Sequence, residues 1–354
     1  MTTYKAAGVS YKTLDAFKRL AQKEAGKTAV SSSRGESAFV WEEKDCYRAM
    51  VIEGLGTKNL VADGVSKITG KTYYDVIAQD TVAMIVNDLI VVGAMPEVVN
   101  AYFAVGSSDW FADSRRSADL AKGWAAACLL SGAVWGGGET PTLKGIVKAD
   151  TIDLAGSAVG IIKPKSRLIL GNSIMPGDAI VCIESSGIHA NGLTLVRDIA
   201  LKLPNGYSTK LEDGTSFGEA LLRPTHIYVS LVREFFESEI DVHYMVNITG
   251  HGWRKLMRAK KDVSYVIDSL PQVLNIFSFI QKHSDNTDKE MYGNFNMGAG
   301  FACIVSARDA SKAVTSAKHC GLNAWVSGHI EKGPKCVRLP NGVTFTAKDL
   351  DLRY

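Results

Sequence analysis

Several things are missing from this chain, and each absence narrows its function. No window of about 18 uninterrupted apolar residues occurs, so no membrane-spanning helix is expected. The opening stretch MTTYKAAGVSYKTLDAFKRL lacks the apolar core of a secretory leader. No C-x-x-C pair occurs among the six cysteines, Cys46, Cys128, Cys182, Cys303, Cys320 and Cys336. Their wide spacing argues against a zinc knuckle and for reduced, mostly buried thiols in a cytoplasmic protein. No long Lys/Arg block is present and the net charge is only +3, so neither nucleic acid nor an anionic membrane is the expected main partner. Short repeats and low-complexity segments are absent as well.

What remains is ordinary globular material: 354 residues, 46% hydrophobic and 22% charged, enough for about two domains. SYKTLDAFKRLAQKEA (10–25) reads as an amphipathic helix, with Leu14, Phe17, Leu20 and Ala21 on one side and Ser10 or Thr13 as its cap. YRAMVIEGLGTK (47–58) reads as a strand running into a glycine turn. A helix is expected over Asp75–Val92, then a strand in EVVNAYFAV, a helix in SRRSADLAKGWAAACLLSGA, and strand in TIDLAGSAVGII. Two prolines and a Pro-Gly-Asp turn in KPKSRLILGNSIMPGD put a domain boundary near residue 165. Strand, glycine loop and helix then alternate to the end. The expected class is α/β (α+β), with domains at 1–165 and 166–354.

Acids placed beside glycines carry the chemistry. Glu53 closes a strand before GLGTK, and Glu139 closes the run WGGGET. Asp80, Asn87 and Asp88 lie seven and eight residues apart on a helix, near one face after two turns. Oxygen ligands of this kind suit Mg²⁺ bridging to nucleotide phosphates. A local cap or salt bridge accounts for Asp80 and Asp88 equally well. The turn at Gly54 and Gly56, with Thr57 and Lys58, could bring backbone amides, a hydroxyl and an ammonium to a phosphate. It is not a Walker A pattern, and a short Gly-x-Gly turn alone is usually a strand exit. SSGIHANG places Ser185, Ser186, His189 and Asn191 before a helix, as either an anion site or a capped turn. NITGHGW repeats that plan with Asn247, Thr249 and His251. His226, His243, His283, His319 and His329 read as surface or structural.

The ordered set EGLGTK, AQDTVAMIVNDLIVVGAMPE, GGGET, DLAGSAVG, SSGIHANGLTLVR, LLRPTHIYV, NITGHG, FNMGAGF and NAWVSGHI resembles the aminoimidazole ribonucleotide synthetases, the phosphoribosylformylglycinamidine cyclo-ligases of de novo purine synthesis. The likeness runs from Tyr4 to about Ile330. It implies a two-domain α/β subunit, a homodimer that pairs its first-domain sheets, and ATP with Mg²⁺. The implied reaction is phosphorylation of the formyl amide oxygen of formylglycinamidine ribonucleotide, then ring closure by an amidine nitrogen with loss of phosphate. Carried over by position, Glu53, Asp88 and Glu139 would hold Mg²⁺. Gly54, Gly56, Thr57, Lys58, Gly137, Gly138, Glu139 and Thr140 would hold ATP. Ser185, Ser186, His189, Asn191, Asn247 and Thr249 would face the substrate, with Asp88, His189 and His251 as catalytic groups.

The chain departs from the family pattern at several points. Glu53 stands for the usual aspartate, about 1.5 Å longer by one C–C bond. SSSRGESAF replaces an early glycine-rich loop, Asn247 stands for a histidine, and His251 for the middle glycine of its loop. Lys18, Lys23 and Lys27 are the candidates for a lysine on the first helix. These departures keep two alternatives open: a thiamine-monophosphate kinase-like phosphoryl-transfer enzyme, and a non-catalytic nucleotide-binding dimer.

Overall fold

The computed structural model describes residues 11–28 and 33–350. Its core is built on two sheets. The first has strand order β1-β2-β5-β3-β4, from β1 (Phe39–Glu42), β2 (Tyr47–Gly54), β3 (Met95–Val105), β4 (Val134–Glu139) and β5 (Ile152–Ile162). It is antiparallel apart from β3 with β4. The second sheet takes seven strands from residues 179–346, with the strand Val242–Asn247 at one edge.

Alternation in β2 sorts its side chains between the faces of the first sheet. Ala49 and Val51 are buried, whereas Met50 and Ile52 are exposed. Glu53 continues the inner set. The inner face is covered by α3 (Tyr74–Ile90), with α4 (Ser114–Leu130) beside it. Asp113 starts α4, its side chain accepting from the N–H groups of Arg115 and Arg116. Ahead of α3, α2 (Lys58–Thr69) ends on Gly70 in the left-handed region, φ 72°, where its N–H reaches the Ser66 carbonyl.

α3 is buried along nearly its whole length, because the first sheet covers one side and the second domain the other. Gln79, Asp80, Asn87 and Asp88 therefore meet groups of the second domain. The extended segment 223–228 runs along α3 with no strand partner of its own. Side chains supply its backbone hydrogen bonds instead. Gln79 donates to the Thr225 carbonyl (2.9 Å) and Asn87 to that of His226 (2.8 Å). Asn87 Oδ1 accepts the Tyr228 N–H (2.9 Å). Asp80 Oδ1 accepts the Thr225 N–H (2.8 Å) and its hydroxyl.

α1 (Tyr11–Ala25) differs from its expected placement. Leu14, Phe17 and Leu20 are exposed, and the helix presents Asp15, Lys18 and Gln22 to the body of the protein. It docks by its polar side because the wall it meets is polar. Thr13 falls inside the helix and so is not its cap; Ser10 lies outside the described residues. All six cysteines are unpaired. Among the described residues no helix is long and apolar enough to cross a membrane.

Candidate active site

A cavity of about 540 Å³ opens where α1, the first sheet and the second domain meet. β2 contributes Glu53 and α3 contributes Met84 and Asp88. The loop before α5 (Leu193–Lys202) contributes Asn191, and the turn after the second-sheet strand at 242–247 contributes Thr249, Gly250, His251, Lys255 and Arg258. Lys18 and Gln22 of α1 and residues 33–36 close the rim.

The acids at its floor are unlike one another. Burial, and then the neighbouring Asp88 charge, push the Glu53 carboxyl up to about 7. Asp88 accepts a hydrogen bond from Asn247 Nδ2 at 2.6 Å. Asn247 Oδ1 and Asn191 Nδ2 are buried without a partner, two polar atoms at the site still unsatisfied.

His251 takes φ 69°, a left-handed conformation that costs a non-glycine residue roughly 1–2 kcal/mol. That turn carries its Nε2 to 3.1 Å from Asp15 of α1, both side chains being buried. Burial, outweighing the Asp15 charge, holds the imidazole down at about 4, so it is neutral near pH 7. His251 thus ties α1 over the cavity and cannot act there as a standing acid. One turn later Lys255 is fully buried, its ammonium on the Asn247 carbonyl (3.3 Å) and the Thr249 hydroxyl. Burial lowers its pKa, against the opposing pull of Asp88.

A first consequence concerns pH. A carboxyl raised from 4.5 to about 7 by folding adds stability that is complete below pH 4.5 and lost as pH rises through 7. Glu53→Gln is therefore expected to match wild type at pH 4.5 and to melt higher than wild type at pH 8. Equal Tm differences at both pH values would show that Glu53 ionises normally.

The expected residues separate into three groups. Glu53, Asp88, Asn191, Asn247, Thr249 and His251 do come together around the cavity. Ser185, Ser186 and His189 lie beneath the Asn191 loop instead. The Ser185 hydroxyl donates to Asn296 Oδ1 (2.9 Å), and that of Ser186 to the Pro224 carbonyl (2.6 Å). His189 is fully buried, and burial drives its pKa well below the ordinary histidine value. As placed, these three side chains serve the loop.

Lys58 also departs from its expected role. It is completely buried, 2.7 Å from Asp80 and 3.0 Å from the Arg223 carbonyl, at the seam between the domains. Asp80 thus forms an ion pair, though with Lys58 of α2 and not locally on its own helix, whereas Asp88 faces the cavity. Gly54 and Gly56 lead into α2, Gly56 at φ 76°, and Thr57 Oγ1 lies 3.4 Å from the Thr194 hydroxyl.

Gly137, Gly138, Glu139 and Thr140 are exposed at the far edge of the first sheet. Glu53 pairs with Gly156, Gly156 with Ala101, and Ala101 with Gly138. Three strand spacings, about 14 Å, therefore separate Glu139 from Glu53. The glycine run has a packing reason: a Cβ on Gly138 would meet the Ala101 carbonyl oxygen at 2.3 Å, and one on Gly136 would meet Val98 at 2.5 Å. Within one chain the three acids do not form one metal site, and no group of three or more potential ligands occurs among the described residues.

Lys255 and Arg258 escaped the sequence reading. In WRKLMR they look like cations on a solvated face, and only burial distinguishes them. Lys18 was one of three unresolved choices; it lines the cavity, whereas Lys27 pairs with Glu24 at the surface.

Comparison with known proteins gives a consistent result. Residues 35–162 match the family model described as AIR synthase related protein, N-terminal domain, and residues 175–339 match its C-terminal domain. The chain is 38% identical over 337 residues to a phosphoribosylformylglycinamidine cyclo-ligase of Methanococcus maripaludis, covering 94% of this chain and 93% of that protein. It is 34% identical over 360 residues to the cyclo-ligase of Carboxydothermus hydrogenoformans, covering 95% and 98%. Among solved structures it shares its fold with AaThiL in complex with AMPPCP and TMP, at TM-score 0.62 and 14% identity, covering 94% of this chain and 95% of that one. It also shares its fold with phosphoribosylformylglycinamidine synthase II of Thermotoga maritima, at TM-score 0.60 and 16% identity, covering 91% of this chain and 47% of that one.

Proposed function

The chain belongs to the AIR synthase related family, and on that premise we propose that the cavity over Asp88 is its active site. The protein is a phosphoribosylformylglycinamidine cyclo-ligase, a purine-biosynthetic enzyme that closes the imidazole ring of aminoimidazole ribonucleotide at the expense of ATP. The observation that carries the site assignment is the meeting of Glu53, Asp88, Asn247 and Lys255 between two domains. The lining combines carboxylates (Glu53, Asp88), neutral hydrogen-bonding groups and cations (Lys18, Lys255, Arg258), the groups suited to a substrate that carries an amidine and a phosphate.

In the first half-reaction the formyl amide oxygen takes the γ-phosphoryl group of ATP, and ADP leaves. In the second an amidine nitrogen attacks that carbon, phosphate leaves, and the ring nitrogen loses a proton. Positioning and charge neutralisation dominate such phosphoryl transfer. Lys255, Arg258 and Lys18 supply positive potential toward phosphate, and Asp88 supplies the charge facing the amidine. Neutral His251 keeps α1 over the cavity and helps exclude water. Asn191, Asn247 and Thr249 offer neutral hydrogen-bonding groups to the substrate. Mg²⁺ belongs to this reading as a companion of the nucleotide, neutralising phosphate charge; Asp88 and Glu53 would hold it once phosphate oxygens complete its shell. A coupled assay for ADP release by purified protein with formylglycinamidine ribonucleotide tests the assignment. Nucleotide binding without ring closure would sink it in favour of a non-catalytic binding protein.

A cytoplasmic homodimer completes the reading. The outer face of the first sheet leaves Met50 45%, Ile52 74% and Val98 36% exposed, an apolar patch suited to a second copy. Light scattering is expected to give about twice the 38.2 kDa chain mass, and Ile52→Asp to give monomer. A monomeric wild type, or an Ile52→Asp dimer, would remove this interface.

A further inference from the structure

The structure assigns residues 33–38 as a pre-formed wall of the cavity, fixed by Tyr244 and Arg258 of the second domain, which act as positioning residues for nucleotide binding. Only the identity of the nucleotide rests on the cyclo-ligase reading.

Ser33, Arg34, Gly35, Glu36 and Ala38 all line the cavity, although they form neither helix nor strand. Side chains hold this turn on three sides. Toward its own sheet, the buried Ser33 hydroxyl accepts the Val40 N–H at 2.8 Å. Toward α1, Arg34 donates to the Ala25 carbonyl at 3.2 Å, at the end of the helix. Toward the second domain, Glu36 Oε2 accepts the Tyr244 hydroxyl at 2.7 Å, and Arg258 donates to the Ser37 hydroxyl. Within the turn, the Glu36 N–H donates to the Ser33 carbonyl at 2.8 Å.

Tyr244 is the deepest of these anchors. It stands on the strand Val242–Asn247 and is 1% exposed. Burial, and then the Glu36 charge, hold its hydroxyl well above the ordinary tyrosine value, so it stays a donor. Swinging the turn away would leave that hydroxyl buried without its carboxylate, which costs far more than exchanging a solvated bond. The bonds to Arg258 and Ala25 would break with it. A glycine-rich loop offers no side chains for such anchors and is ordered by what it binds. In SSSRGESAF the anchors are Ser33, Arg34, Glu36 and Ser37, and Gly35 at φ 89° supplies the bend. The replacement therefore still walls the cavity, and holds Arg34 among the cations Lys18 and Arg258 before any ligand arrives. A ligand entering a wall already in place has less ordering to do.

Hydrogen–deuterium exchange of the full-length protein, with and without AMPPCP and Mg²⁺, tests the proposal. Amides 33–38 are expected to be protected in the free protein and to change by no more than about twofold when AMPPCP and Mg²⁺ are added. Tyr244→Phe is expected to speed their exchange roughly tenfold in the free protein, the worth of one hydrogen bond to a charged group, and to regain protection with nucleotide. Glu36→Gln, which still accepts the hydroxyl, is expected to stay close to wild type. In Tyr244→Phe/Ser37→Ala, binding must also close the wall, so the apparent Kd for AMPPCP with Mg²⁺ is expected to rise about threefold or more. Ser37→Ala alone is the second variant should Tyr244→Phe fold poorly. Wild-type amides 33–38 that stay unprotected until nucleotide is added would overturn the proposal. So would unchanged loop exchange in both single variants, a rise spread evenly over the second domain, or a double variant that binds like wild type. Exchange in the free protein needs no turnover, so its result and that of the ADP-release assay fail independently.

Discussion

Asp88→Asn is expected to lower kcat/KM by about 10²–10³-fold, the usual loss when one preorganised electrostatic group is removed from a closed site. The substitution keeps the shape of the side chain. Asparagine can still accept from Asn247 Nδ2, so the link between α3 and the second domain survives. What disappears is the negative charge of Asp88 that acts on Glu53 and Lys255. Thermal unfolding should fall, because the buried Lys255 ammonium loses the opposing charge of Asp88, but the protein should still fold while ADP release with the ribonucleotide substrate collapses. Turnover like wild type would remove Asp88 from the site. The same charge deletion should let Glu53 ionise more easily, because the Asp88 charge is one of the two causes that raise it. The loss of stability as pH rises would then be smaller and would end at lower pH.

The second large effect concerns stability. Asp80→Ala is expected to destabilise the protein by about 3–5 kcal/mol, because it leaves the Lys58 ammonium buried and unpaired. It also strips Thr225 of the carboxylate that accepts its N–H and hydroxyl. Lys58→Met should cost a comparable amount. Replacing both residues by apolar ones of similar volume should recover much of the loss, since paired burial of two charges gains little net free energy. Urea unfolding of the three variants measures all of this. The sequence suggested a different role for Lys58, on an ATP phosphate. If Lys58→Met unfolds like wild type but raises the KM for ATP, that role is right and the buried pair is incidental.

The contrast between Asp80 and Asp88 shows how far the sequence could be read. The two residues are eight apart on one helix, and their polarity in an apolar run signals that partners must exist. Which partners they find is set by packing beyond the helix, on α2 and in the second domain. Asp80 meets Lys58 and the 223–228 segment; Asp88 meets Asn247. Helical spacing places side chains on a face and cannot tell what that face touches. The same limit applies to WGGGET. The glycines were legible as a demand for close backbone approach, but the approach is to the Ala101 carbonyl of β3 and the acid is left at a sheet edge.

His251 and Lys255 mark the other boundary. A histidine in a glycine loop reads as an acid–base candidate. Folding buries it against Asp15 of α1 and lowers its pKa to about 4. A lysine in WRKLMR reads as a solvated charge, and folding makes it the most deeply placed cation of the cavity.

From the sequence alone, the α/β class and the family were determined, because strand alternation, helical period and glycine turns are local and nine ordered motifs are specific together. The tertiary structure decided which charges neighbour which: that Lys58 serves Asp80, that Glu139 stands apart, and that Lys255 lines one cavity with Asp88 and Glu53. Burial and long-range pairing set those outcomes, and neither is a local property of the chain.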